Sequence, residues 1–163
     1  MGATRYGYTR LQIGIHWLVV AMVAVQLVIG ESMTEMVDAI EEGETVSSTV
    51  SLWGNVHFWL GLALLAAMVV RLGVRIFAGA PTHVGAMPFQ DMAATAMHWA
   101  LYIVLLATPV SGLVAYYGLA DVGDLHAISK PILIVLVGLH ALAALYNQYV
   151  RKDGTLTRML RAR

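Results

Sequence analysis

Cysteine is absent from the 163 residues. That excludes disulfide staples, thiolate zinc, iron–sulfur clusters and a cysteine nucleophile, each of which needs a thiol. Charge is scarce as well. Only 12% of residues are charged, against roughly 25% in a soluble domain. A basic excess is missing, since ten Lys and Arg face ten Asp and Glu, which argues against nucleic-acid binding. What is present is apolar: 59% of residues are hydrophobic and the mean hydropathy is +0.72. A disordered chain would show the opposite balance.

Crossing a hydrocarbon core of about 30 Å takes roughly 20 mostly apolar helical residues. Four stretches satisfy this, at about 11–29, 52–77, 92–117 and 125–150. None contains Asp or Glu. They are apolar nearly all round, whereas a soluble helix carries a polar face. The expectation is an all-α integral membrane protein. It is a four-transmembrane-helix bundle forming a single membrane domain over residues 1–163. The first span is too long for a cleaved signal peptide and reads as a retained helix.

The connections hold the polarity. Residues 31–51 carry Glu31, Glu35, Asp38, Glu41, Glu42 and Glu44 and read as an acidic exterior loop, with Met36, Val37 and Ile40 leaving room for a short interfacial helix. Gly79 to Gln90 contains Pro81 and Pro88 and reads as a loop. Four spans put both termini and the middle loop on one side. That side holds Arg5, Arg10, Arg71, Arg75, Arg151, Lys152, Arg158, Arg161 and Arg163, with two carboxylates, for a net +7. The other side holds Lys130 and eight carboxylates, for a net −7. Lys and Arg gather on the cytoplasmic side, so both termini are expected in the cytoplasm, and the acidic segment outside, in the periplasm of a bacterium.

Ionisable groups inside a bilayer are costly and point to function. Five of the six histidines lie in or at the edge of the spans: His16, His57, His98, His126 and His140. His83 reads as an ordinary loop residue. His126 and His140 are fourteen positions apart. On a helix this is a rise of about 21 Å and a rotation some 40° short of four turns. Their imidazoles leave one face, one near each membrane surface. His57 matches the level of His126, and either His16 or His98 matches the level of His140. Two bis-histidine haems stacked across the bilayer suit this arrangement. Gly14, Gly61 and Gly138 lie beside these histidines and would let a flat porphyrin approach the backbone, or would serve helix packing. Trp17, Trp53, Trp59 and Trp99 read as interface anchors. Pro109 is expected to kink the third span.

Four motifs then agree in order and spacing with one family. They are Arg10-Leu-Gln-Ile-Gly-Ile-His16-Trp17; His57 with a span ending Val70-Arg71-Leu-Gly-Val-Arg75; His98 with Thr108-Pro109-Val-Ser-Gly112; and Val137-Gly-Leu-His140 with the tail from Lys152 to Arg158. The chain resembles the bacterial cytochrome b561 family over essentially its whole length apart from the acidic segment. The resemblance implies two b haems, with His16 and His140 binding the cytoplasmic one and His57 and His126 the periplasmic one. It implies electron transfer between a periplasmic donor and the ubiquinone pool of the inner membrane, with superoxide as donor in one branch. Arg71 would pair with a haem propionate or a quinone headgroup, and His98 and Asn147 are candidate quinone contacts. Asn147 stands where some relatives carry histidine. Six carboxylates in the first exterior segment would repel superoxide and attract a cationic protein such as a basic cytochrome c. A membrane-anchor subunit relaying electrons for such a partner is therefore the alternative, and a haem-free transporter using the histidines for protons or metal is a third.

Overall fold

The computed structural model describes residues 7–79 and 88–162. Arg5, His83, Pro81 and Arg163 lie outside the described residues. Five helices follow in order: α1 (Arg10–Glu41), α2 (Ser48–Ala78), α3 (Pro88–Tyr116), α4 (Gly123–Tyr149) and α5 (Thr155–Leu160). The first four are long and apolar enough to cross a membrane. At 1.5 Å per residue they measure about 40–48 Å, longer than a hydrocarbon core of about 30 Å. Their ends therefore reach into the headgroup layer or beyond.

Local signals explain the starts. Thr9 caps α1 with a reciprocal box: its hydroxyl accepts from the Gln12 amide at 3.2 Å, and the Gln12 side chain accepts from the Thr9 amide at 3.0 Å. The Ser47 hydroxyl accepts from Val50 N–H and opens α2. Pro88 is the first residue of α3, a position where its missing N–H costs nothing. The last three residues of the loop expected from Gly79 to Gln90 are thus helical.

The first span departs most from expectation. α1 does not stop near Ile29 but runs on to Glu41, so Glu31, Glu35 and Asp38 are helical rather than looped. Glutamate is a good helix former, and charge beyond the bilayer has no reason to end a helix. Met36 packs its thioether over Gly54 of α2, which holds the extension in place. The helix stops where the chain turns through Gly43 at φ 72°. α2 likewise begins at Ser48, four residues before the expected span, so little of the acidic loop at 31–51 remains a loop.

α1 packs along α2, α2 along α3, and α3 along α4. α4 stays farther from α1 and α2. The core lies at mid-height, with Val19, Met22 and Val23 from α1, Leu64 and Met68 from α2, Tyr102 and Leu105 from α3, and Leu133 from α4. Apolar side chains elsewhere are widely exposed, such as Val28 at 77% and Phe77 at 92%. This is the surface that lipid covers. Pro109 and Pro131 lie within α3 and α4, which continue through them.

The described chain begins and ends at the same end of the bundle, called here the terminal end. There the tail turns back as α5. Asp153 accepts from Thr155 N–H at 2.9 Å and from its hydroxyl at 2.6 Å, and Gln148 accepts from Leu156 N–H at 3.0 Å. Trp17 donates from Nε1 to the Met159 carbonyl at 2.9 Å, docking α5 on α1.

Candidate functional site: two imidazole pairs and a cationic cleft

α4 presents one histidine toward each end of the bundle, and each meets a histidine from another helix. At the far end the rings of His57 (α2) and His126 (α4) have centroids 6.2 Å apart, at right angles. At the terminal end the rings of His16 (α1) and His140 (α4) are 6.3 Å apart, at 70°. These side chains reach across the wider separation between α4 and the α1–α2 pair. Two imidazoles bonded through nitrogen to opposite sides of one metal ion, at about 2 Å each, bring their ring centres to about 6 Å. Both pairs have that spacing. His98 (α3) also approaches His140, but more closely, at 5.3 Å.

The far-end pair is held by backbone. His126 Nδ1 lies 2.8 Å from the Thr108 carbonyl oxygen. A carbonyl only accepts, so the proton sits on Nδ1 and the lone pair on Nε2. A donated Nδ1–H to a backbone carbonyl is the usual support of a metal-binding histidine. Gly112 makes the approach feasible: a Cβ there would stand 2.8 Å from the His126 Cε1. On the other side His57 faces Gly30, where a Cβ would lie 3.7 Å from its Cε1. His57 Nδ1 is buried without a hydrogen-bond partner, so the protein leaves one nitrogen of this pair to be satisfied by something else. Gln26 ties α1 to the same place, its Nε2 donating to the His57 carbonyl at 2.9 Å. Just beside this pair, Lys130 on α4 meets Glu31 on α1 at 2.7 Å.

The glycines singled out from sequence behave differently. Gly14 and Gly138 face open space, and a Cβ on Gly61 would stand 3.1 Å from the Gln26 Nε2. Gly30 and Gly112 are the ones that receive imidazoles. Sequence reading missed them, although Gly112 lay inside one of the motifs. The only signal was its spacing from Thr108, one helical turn away.

The terminal-end pair borders a cleft. Arg71, Arg75, His98, Tyr102, Tyr8 and Gln12 line it, with Met159 of α5. The guanidinium carbons of Arg71 and Arg75 lie 6.0 and 5.9 Å from the Tyr102 ring centre, within cation–π range. No described carboxylate pairs with either arginine. Burial pushes the Tyr8 phenol up, with Arg75, Arg158 and Arg71 pulling against that rise. Arg75, Tyr102 and Tyr8 join Arg71 and His98 here, and spacing alone did not reveal them. Asn147, seven residues beyond His140, is not among the residues lining this cleft; its carbonyl accepts from Asp153 N–H at 3.2 Å.

The chain matches the family model described as prokaryotic cytochrome b561 over residues 7–162. It is 34% identical to cytochrome b562 of Cereibacter sphaeroides over 158 residues, covering 96% of this chain and 97% of the relative. It is 31% identical to a Yersinia pestis protein named "probable superoxide oxidase CybB", covering 94% and 95%. Against cytochrome b561 homolog 1 of Escherichia coli K12 the identity is 30%, covering 94% and 96%. Four apolar helices, paired intramembrane histidines and these matches over nearly the full length agree: the chain belongs to the prokaryotic cytochrome b561 family, multi-pass bacterial inner-membrane proteins of electron transport that carry b-type haem.

Proposed function

We propose that this chain holds two b haems, one between His57 and His126 and one between His16 and His140, and carries single electrons between a donor at the periplasmic face and ubiquinone in the membrane. The observation that carries this reading is the geometry of α4: two imidazoles on one face, each about 6 Å from a partner ring on another helix. The closer 5.3 Å approach of His98 supports leaving it outside the pair. A b haem supplies a one-electron iron couple when bound.

The protein's own residues then divide the work. His126, its Nδ1–H held by Thr108, presents Nε2 in a fixed direction. The buried core around Leu133, Met68 and Leu105 separates the two levels and excludes water between them. At the terminal end, Arg71 and Arg75 offer N–H donors to a carboxylate or a quinone oxygen, and the Tyr102 ring forms a wall of the same cleft. His98, a candidate quinone contact, lines the same cleft. Asn147 could hydrogen-bond a quinone oxygen but not protonate it. By charge, the terminal end faces the cytoplasm and the acidic far end the periplasm.

A relay serving a cationic redox protein is the second reading, and one observation favours it. The α1 extension projects Glu35, Asp38 and Glu41 beyond the apolar span, exposed and beside the far-end pair. Such a surface attracts a basic partner and repels an anion. The visible spectrum of the purified protein tests the di-haem proposal. A reduced b-type α-band with about two haems per chain is expected; a ratio near zero overturns it in favour of a haem-free role. Superoxide and ubiquinone added to the lone protein then separate the two readings. Haem reduction faster than spontaneous dismutation supports the autonomous oxidoreductase, and none supports the relay.

A further inference from the structure

The two imidazole pairs are alike in spacing and sit in unlike fields. At the terminal end Arg71 and Arg75 line one cleft with His98, whose ring lies 5.3 Å from that of His140, the partner of His16. Neither arginine is paired with a described carboxylate. At the far end, the ring that faces His57 is that of His126, 6.2 Å away. The nearest cation, Lys130, is one turn from His126 on α4 and is held at 2.7 Å by Glu31. Glu31 follows Gly30, the residue that faces His57. The other charges of that end are carboxylates, among them Asp124, two residues before His126, and Glu35, one turn beyond Glu31.

An iron site that gains an electron loses one unit of positive charge. A nearby cation therefore favours the reduced form, and a nearby carboxylate the oxidised form, more strongly the lower the local dielectric. Haem propionates would add negative charge at both levels, and the guanidinium groups of Arg71 and Arg75, paired with no described carboxylate, lie at the terminal end to offset it.

We infer that Arg71, assisted by Arg75, holds the His16/His140 site at the higher reduction potential, while Glu31 cancels Lys130 and keeps the His57/His126 site lower. The inference rests on reading both pairs as haem sites. It sets the direction of transfer. With haem bound at both pairs, the residues of the far end would hold the one-electron donor of the two and those of the terminal end the acceptor, an exchange that needs no atom or proton to change place. The movement is downhill toward the cleft, so Arg71 is a positioning residue for charge rather than a group that must touch the electron donor.

The test is a redox titration of the haem-loaded full chain, followed by its visible spectrum, after the haem:protein ratio has been measured. Two steps are expected. Arg71→Gln lowers the upper step and leaves the lower unmoved, Arg71→Lys restores most of the shift, and Glu31→Gln raises the lower step. His57→Ala retains the upper step. If that variant loses both haems equally, the two levels are not separate sites and the inference falls with the two-site reading. A ratio near one overturns the two-site reading, and this inference with it. A ratio near two, with Arg71→Gln moving both steps equally or moving only the lower one, overturns the inference and leaves the two-site reading intact. An Arg71→Lys shift as large as that of Arg71→Gln also overturns it, because the effect would then follow shape and not charge.

Discussion

At the far end of the bundle, position is set by backbone. Gly30 and Gly112 admit the rings of His57 and His126 to within contact of main chain, and the Thr108 carbonyl fixes the His126 tautomer. At the terminal end, the pair of similar separation is bordered by side chains instead: two arginines, two tyrosines and a third histidine around an open cleft. A site closed by backbone can exchange electrons but offers a small molecule little to bind. A cleft lined by guanidinium, phenol and imidazole groups offers a small molecule partners. Under the proposed function the same ring spacing would thus serve two roles, and the surroundings would decide which.

The largest effect that bears on this comparison comes from removing one member of a pair. His57→Ala is expected to reduce the haem:protein ratio from about two to about one and to spare the terminal-end spectrum. His16→Ala is expected to do the converse. An equal loss of both signals in each variant would mean that the two levels are not separate sites. His98→Ala is expected to leave the ratio near two while slowing quinone reduction, because its ring lies 5.3 Å from that of His140, closer than two imidazoles on opposite sides of one iron would stand. A ratio near one in that variant would make His98, not His16, the partner of His140.

Much of this was legible in the chain and some was not, for identifiable reasons. The four spans were readable because lipid imposes the same apolarity on all faces. The relation of His126 to His140 was readable because helical phase is arithmetic. The choice between His16 and His98 was not, since spacing gives depth but not which helix lies opposite. The length of α1 was misjudged because Glu31, Glu35 and Asp38 resemble a loop by charge, while Met36 over Gly54, the contact that stabilises the helix, is tertiary. Arg75 entered only as a cytoplasmic-side charge and part of a motif, because the Tyr102 ring beside it comes from another helix, α3. α5 has six residues, too few for periodicity to register, and its start depends on Asp153 capping Thr155.

A smaller effect tests the shape of the far end directly. Gly112→Ala places a methyl 2.8 Å from His126 Cε1. The ring cannot easily withdraw, because its Nδ1 is anchored to Thr108 in the same helix as Gly112. Overpacking of this kind costs about 1–3 kcal/mol, more than the gain of up to about 1 kcal/mol from replacing helical glycine by alanine. A lowered thermal midpoint and a broadened far-end haem signal are expected. Gly73→Ala, at a position with nothing within 4 Å of its Cβ, supplies the control: the midpoint stays or rises slightly. Equal responses in the two variants would show that the imidazole is free to move and that backbone contact does not position it.

The smallest effect lies at the terminal end, where the cleft borrows Met159 from the tail. Trp17→Phe keeps the apolar ring but removes the Nε1–H that bonds the Met159 carbonyl at 2.9 Å. A single hydrogen bond contributes about 1 kcal/mol, and Trp17 is 43% exposed, so the bundle itself should stay intact. α5 keeps its own supports, since Arg158 still donates to the Asp153 carbonyl at 2.8 Å and Gln148 still accepts from Leu156. The helix therefore loosens without unfolding, and Met159 retreats from the wall it shares with Arg71 and Tyr102. Faster amide exchange in residues 155–160, a raised KM for quinone and an unchanged haem ratio are the expected readings. A changed haem ratio would instead mean that the tail supports His16, the neighbour of Trp17, and that the terminal-end pair depends on docking as closely as the far-end pair depends on glycine.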